Sequence, residues 1–125
     1  MAPEATMAIA RYGTVSAPGL PLISKAVAYG GIVSLCGVTP DPVGDITAQT
    51  RQVLERIDRL LAAAGTDKSK LLTANIWLAD MSTFNEMNAV WDGWVSPGNT
   101  PARATVEAKL AAPGYMVEIM VTAGR

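Results

Sequence analysis

The chain has no histidine in its 125 residues. That excludes Ser-His-Asp and Cys-His nucleophilic centres, and it excludes histidine metal sites. Cys36 is the single cysteine, so neither an internal disulfide nor a thiolate zinc site can form. A lone thiol suits a reducing compartment, and a cytoplasmic location is expected. Charge is also scarce: 17% of residues, ten basic against eleven acidic, net −1. There is no basic block. Phosphate neutralisation supplies most nucleic-acid affinity, so nucleic acid is not an expected partner. No apolar run approaches the roughly 18 to 20 residues of a membrane span, and no membrane partner is expected. The segment "MAPEATMAIARYG" (1–13) lacks a basic n-region and a long apolar core, so no secretory signal is expected. Chemistry must rest on carboxylates, Arg, Lys, hydroxyls, backbone groups or water, with no metal.

What the chain has in quantity is apolar surface. Half of its residues are hydrophobic. The length fits one domain, 1–125, with a real core. So apolar a composition suggests further surface buried between subunits.

Gly and Pro punctuate the first third. "MAIARYG" (7–13) reads as a strand, and "SKAVAYG" (24–30) with "GIVSLCG" (31–37) as a hairpin about Gly30-Gly31. "GDITAQTRQVLERIDRLLAAAG" is the clearest helix. Asp45 caps it, Ile46, Val53, Leu54, Ile57, Leu60, Leu61 and Ala64 make its apolar stripe, and Gly65 ends it. "SKLLTANIWLAD" (69–80) is a strand with Leu72, Ala74, Ile76 and Leu78 on one side. "DMSTFNEMNAVWDGWV" is a second helix, with Thr83 and Glu86 as a candidate capping box and Asp80 and Ser82 as competing caps. Its stripe is Phe84, Met87, Val90, Trp91 and Trp94, and Asn88 lies on or beside it. "TPARATVEAKL" (100–110) and "YMVEIMVTA" (115–123) close the order β-β-β-α-β-α-β-β.

That order predicts a two-layer α+β domain: a mixed sheet of about six strands with both helices on one face. The other face is apolar enough to need cover, so a ring-shaped homo-oligomer is expected. In "TPARATVEAKL", period two places Arg103, Thr105, Glu107 and Lys109 on one side and Ala102, Ala104, Val106, Ala108 and Leu110 on the other. By itself that pattern is a half-buried strand with a wet outer face. In the last strand Glu118 stands between Met116 and Met120, an apolar place for a carboxylate. If these two strands are antiparallel neighbours, Arg103 and Glu118 share a face. They then form either a structural salt bridge or a small-anion pocket, in which the guanidinium fork holds a carboxylate and Glu118 holds a water. Spacing leaves both readings open.

"TPARATVEAKL" followed by "VEI" resembles the signature of the YjgF/RidA family, the reactive intermediate deaminases. "VSLCGVTPDPVGDITAQTRQVLERIDRLLAAAG" and "LLTANIWLADMSTFNEMNAVW" resemble its other elements, so the similarity runs over roughly residues 10–123. The resemblance implies a chorismate-mutase-like fold, a homotrimer and sites in clefts between subunits. It implies cofactor-independent hydrolysis of enamines and imines, such as 2-aminoacrylate and 2-iminopropanoate, to 2-oxo acids and ammonia. The family's substrate-carboxylate clamp falls on Arg103 and its water-positioning glutamate on Glu118. Its helix asparagine falls on Asn88. Its turn glycine falls on Gly37, which offers backbone contacts. Thr105 stands where cysteine is frequent, and its backbone is expected to line the pocket. Ile23, in "PLISKA", stands where many members carry tyrosine in a "GPYSQA"-like segment, and Cys36 replaces a serine. Both change one wall of the cleft. A non-catalytic module that binds small 2-oxo acids in the same pocket is the alternative.

Overall fold

A computed structural model describes residues 8–125. Residues 1–7, including Met7 of the first predicted strand and half of the segment read for a secretory signal, lie outside the described residues. Six strands and two helices follow in the predicted order. They are β1 (Ala10–Tyr12), β2 (Ala26–Tyr29), β3 (Ile32–Leu35), α1 (Ile46–Ala63), β4 (Leu71–Leu78), α2 (Phe84–Trp94), β5 (Ala102–Glu107) and β6 (Val117–Gly124). None of the described helices is long and apolar enough to cross a membrane.

Gly30 and Gly31 join β2 to β3 with Tyr29 opposite Ile32, and Gly30 takes the positive φ of 59° that so tight a connection needs. On α1, Asp45 accepts a hydrogen bond from Ala48 N at 2.8 Å. At the other end Gly65 N–H bonds Ala62 O and Thr66 N–H bonds Leu61 O, a Schellman closure with Gly65 at φ 83°. Asp45→Ala should lower stability by about 1 kcal/mol. A urea denaturation midpoint that does not move would refute the cap's contribution.

The second helix starts differently from its predicted capping box. Thr83 makes no side-chain bond to the α2 backbone; its hydroxyl donates to Asp80 O at 2.7 Å. Asp80 instead caps the 3-10 turn Met81–Thr83 through Ser82 N.

The sheet order is β1-β2-β3-β6-β4-β5, antiparallel throughout except that β4 and β5 run parallel. A parallel pair needs a crossover, and α2 provides it. The helices cover one face, where Val117, Ile119, Val121 and Ala123 of β6 and Ala74, Ile76 and Leu78 of β4 are buried against Val53, Leu54, Ile57, Leu61, Met87 and Trp91. A bulge between Leu71 and Thr73 turns Leu71 inward and leaves Leu72 exposed, reversing the expected start of that strand. The opposite face presents Tyr29, Ile32 and Val106, each about half exposed.

Strand order corrects one expectation. β5 and β6 are not neighbours, because β4 lies between them. Arg103 pairs with Ala74, and Ala74 pairs with Val121. Glu118 pairs with Trp77, three residues further along β4. Cross-strand partners share a face and positions three apart do not. Arg103 therefore faces the helix layer and Glu118 faces the open side. The wet-face reading of "TPARATVEAKL" is likewise reversed: Ala102, Ala104 and Val106 are exposed, while Arg103 and Thr105 are half-buried toward the helices.

Candidate functional site

The predicted site residues fall into two groups. The first gathers where β5 meets α2. Phe84, Asn88 and Trp91 lie at i, i+4 and i+7 on α2, so they share one helix face. Arg103 reaches across them. Its guanidinium carbon is 5.9 Å from the Phe84 ring centroid and 5.3 Å from that of Trp91. Both are cation–π distances. Thr105, two residues on, has the same orientation.

This group is polar and unsatisfied. Asn88 Oδ1 and Thr105 Oγ1 are buried without a hydrogen-bond partner. Among the described residues the ion pairs are Arg56–Asp41 and Arg59–Glu55, so neither Arg103 nor Glu118 is in one. Within one chain the structural salt bridge between them is thereby overturned. Burial pushes the Arg103 guanidinium below its ordinary value, and the nearby Asp92 carboxylate offsets part of that push. An unpaired, partly desolvated cation beside orphaned polar atoms is costly unless something occupies the gap. A planar anion with two oxygens fits the fork of donors.

The second group lies around Gly37. An ideal Cβ there would clash with Glu118 Oε2 and stand 3.1 Å from Cδ, so the carboxylate rests against the Gly37 backbone. Gly37 does not have a positive φ; glycine is needed here for space, not conformation. Gly37, Cys36 and Ile23 line a cavity of about 500 Å³ with Lys25, Arg56 and Arg59. Arg103 does not line it. Burial pushes the Cys36 thiol up, and Lys25 opposes that push. At neutral pH Cys36 is therefore a thiol wall of the cavity, not an activated nucleophile. Among the described residues no group of three His, Cys, Asp or Glu side chains converges as a metal site would require.

One positioning residue was not legible. Gln49 interrupts the apolar stripe of α1, yet it is 1% exposed. Its Nε2 donates to Gly114 O at 2.8 Å and its Oε1 accepts from Met116 N at 2.8 Å, which fixes the entry to β6 two residues before Glu118. A polar residue within a helical stripe was the available signal. The aromatic floor beneath Arg103 was also missed, because Phe84 and Trp91 read as ordinary core.

Comparison with known proteins agrees with this architecture. Residues 16–124 match the family model described as Endoribonuclease L-PSP. A RutC family protein of Haemophilus ducreyi is 48% identical over 101 residues, covering 80% of this chain and 86% of the relative. The RutC family protein YoaB of Escherichia coli is 40% identical over 100 residues, covering 80% and 88%. Among solved structures, a member of the YjgF protein family from Neisseria meningitidis superposes with a TM-score of 0.88 at 45% identity, covering 96% of this chain and 97% of that one. With a family-model match over most of its length, a close superposition and this level of identity, the chain belongs to the YjgF/RutC family, the one whose model is described as Endoribonuclease L-PSP.

Proposed function

We propose that the protein hydrolyses reactive 2-imino acids and their enamine tautomers to 2-oxo acids and ammonia. The observation that carries this reading is the unpaired, half-buried Arg103 over Phe84 and Trp91, with Asn88 Oδ1 and Thr105 Oγ1 unsatisfied beside it. Arg103 clamps the substrate carboxylate bidentately, and Asn88 and Thr105 complete the polar wall. The protonated imine carbon is already electrophilic. Water adds to that carbon, the C–N bond breaks, and the nitrogen leaves as ammonia with the protons of the iminium and the water. The chain needs to orient that water more than to activate it. Glu118, held against Gly37, accepts the water's hydrogen bond, takes one of its protons as the water adds, and passes that proton to the departing nitrogen.

Arg103 and Glu118 lie on opposite faces of one sheet, so a single chain does not complete this site. We infer a homotrimer in which Arg103, Asn88 and Thr105 of one subunit face Gly37, Glu118, Ile23 and Cys36 of the next. The half-exposed Tyr29, Ile32 and Val106 on the open sheet face support such an assembly.

Subunit mixing tests both points. Ammonia release is measured from an imine generated in situ by an amino-acid oxidase. Wild type accelerates it, and Arg103→Ala and Glu118→Gln chains alone do not. Co-refolded in equal amounts, the two variants recover about a quarter of wild-type activity, the statistical share of interfaces with both groups intact. No recovery, from variants that still assemble, would refute a site shared between subunits. The opposing reading, a module that binds 2-oxo acids without turnover, rests on Asp92, which is exposed, being the carboxylate whose charge reaches Arg103 among the described residues. Wild type that binds pyruvate but leaves the imine's decay rate unchanged would establish it.

A further inference from the structure

The cavity beside Gly37 has a charge pattern that imine hydrolysis itself does not require. It is lined by three cations, Lys25, Arg56 and Arg59, and by no carboxylate. Two of the three are already engaged. Arg56 Nη2 pairs with Asp41 Oδ1 at 2.8 Å while its Nη1 donates to Thr39 O at 2.7 Å, and Arg59 pairs with Glu55. Lys25 is in no ion pair among the described residues. It stands close enough to Cys36 for its charge to act on the thiol. Its side chain is exposed, so a compact ammonium there is free to meet a ligand.

The same glycine connects this cavity to the reacting centre. Gly37 touches the Glu118 carboxylate and also lines the cavity, and the Glu118 charge reaches Cys36, another wall of that cavity. An imine carbon held at Glu118 would place the substrate's side chain next to this cavity, whose wall continues from Gly37 to Cys36 and Lys25. At about 500 Å³ the space exceeds what a methyl group fills. Its apolar lining, Ile23, Val38 and Leu60, suits a short methylene chain, and its free charge is positive.

Resting on the imine-hydrolase reading, we infer that this cavity is the side-chain subsite and that Lys25 selects substrates with a second carboxylate, the 2-imino dicarboxylic acids. Arg103 takes the first carboxylate and Lys25 the distal one. Lys25 is then a specificity-determining residue. It differs in kind from Arg103, because it acts on the part of the substrate that does not react.

The test compares imines generated in situ from glutamate and from norvaline, which differ in the distal carboxylate. The readout is the ratio of kcat/KM values, acidic over neutral, for wild type and for Lys25→Gln. The ratio should fall about fivefold in the variant, as expected for loss of one solvent-accessible ion pair. Lys25→Glu should lower it further, and raised salt should lower it in wild type alone. An unchanged ratio would overturn the inference. Titration calorimetry with 2-oxoglutarate and 2-oxopentanoate separates this idea from the proposed reaction. If no imine is hydrolysed, the activity is wrong, yet tighter binding of 2-oxoglutarate that disappears in Lys25→Gln still supports the subsite. Equal binding of the two acids by wild type removes it.

Discussion

Arg103→Ala is expected to lower kcat/KM for imine hydrolysis about a hundredfold or more, the size of losing one charged partner from a desolvated pair. Arg103→Lys should recover only part of that loss. Lysine keeps the charge but not the planar fork that meets a carboxylate with two parallel bonds. The fold should survive either change. Alanine forfeits the contacts with the Phe84 and Trp91 rings, worth about 0.5–1 kcal/mol each at a partly exposed site. It also relieves the burial of a cation that is in no ion pair among the described residues. The two effects oppose, so the melting temperature should shift by a few degrees at most. Full activity in Arg103→Ala would remove Arg103 as the clamp. A collapsed fold would instead make it a structural residue.

Gly37→Ala tests the other half of the site. Its new methyl group occupies the space of the Glu118 carboxylate. The displaced atoms are the far end of a flexible side chain, so stability should fall by only about 1 kcal/mol. Activity should fall about a hundredfold, because the carboxylate can no longer hold a water at its position. The double variant Gly37→Ala with Glu118→Ala separates the two consequences. Truncating the glutamate makes room for the methyl, so the melting temperature should return toward that of wild type while activity stays lost. A Gly37→Ala enzyme as active as wild type would show that the contact between Gly37 and Glu118 has no part in the reaction.

Much of the fold is legible in local pattern. The 3.6-residue spacing from Ile46 to Leu61, closed by Asp45 and Gly65, specifies α1 and its buried stripe, since capping and amphipathicity depend on neighbours along the chain. The Gly30-Gly31 connection specifies the β2–β3 hairpin for the same reason. The absence of histidine left arginine and carboxylates as the candidate types, but among ten basic and eleven acidic residues it was the family resemblance that singled out Arg103 and Glu118. Gln49 and Lys25 were visible as letters only. What they do depends on Gly114 and Met116 in one case, and on a cavity assembled from three separate segments in the other.

The sequence alone determined which side chains alternate with which on each strand, because a period of two is a property of the backbone. It did not determine which set faces the helices. Reversing a strand's faces leaves its alternation unchanged, so that choice is made by pairing with strands distant in sequence. Insertion of β4 between β5 and β6 made the choice here. Through the partners of Ala74 and Trp77 it turned Arg103 toward α2 and Glu118 toward the open face. Tertiary structure thus separated two charges that adjacent strands would have joined, and it left each in no ion pair among the described residues.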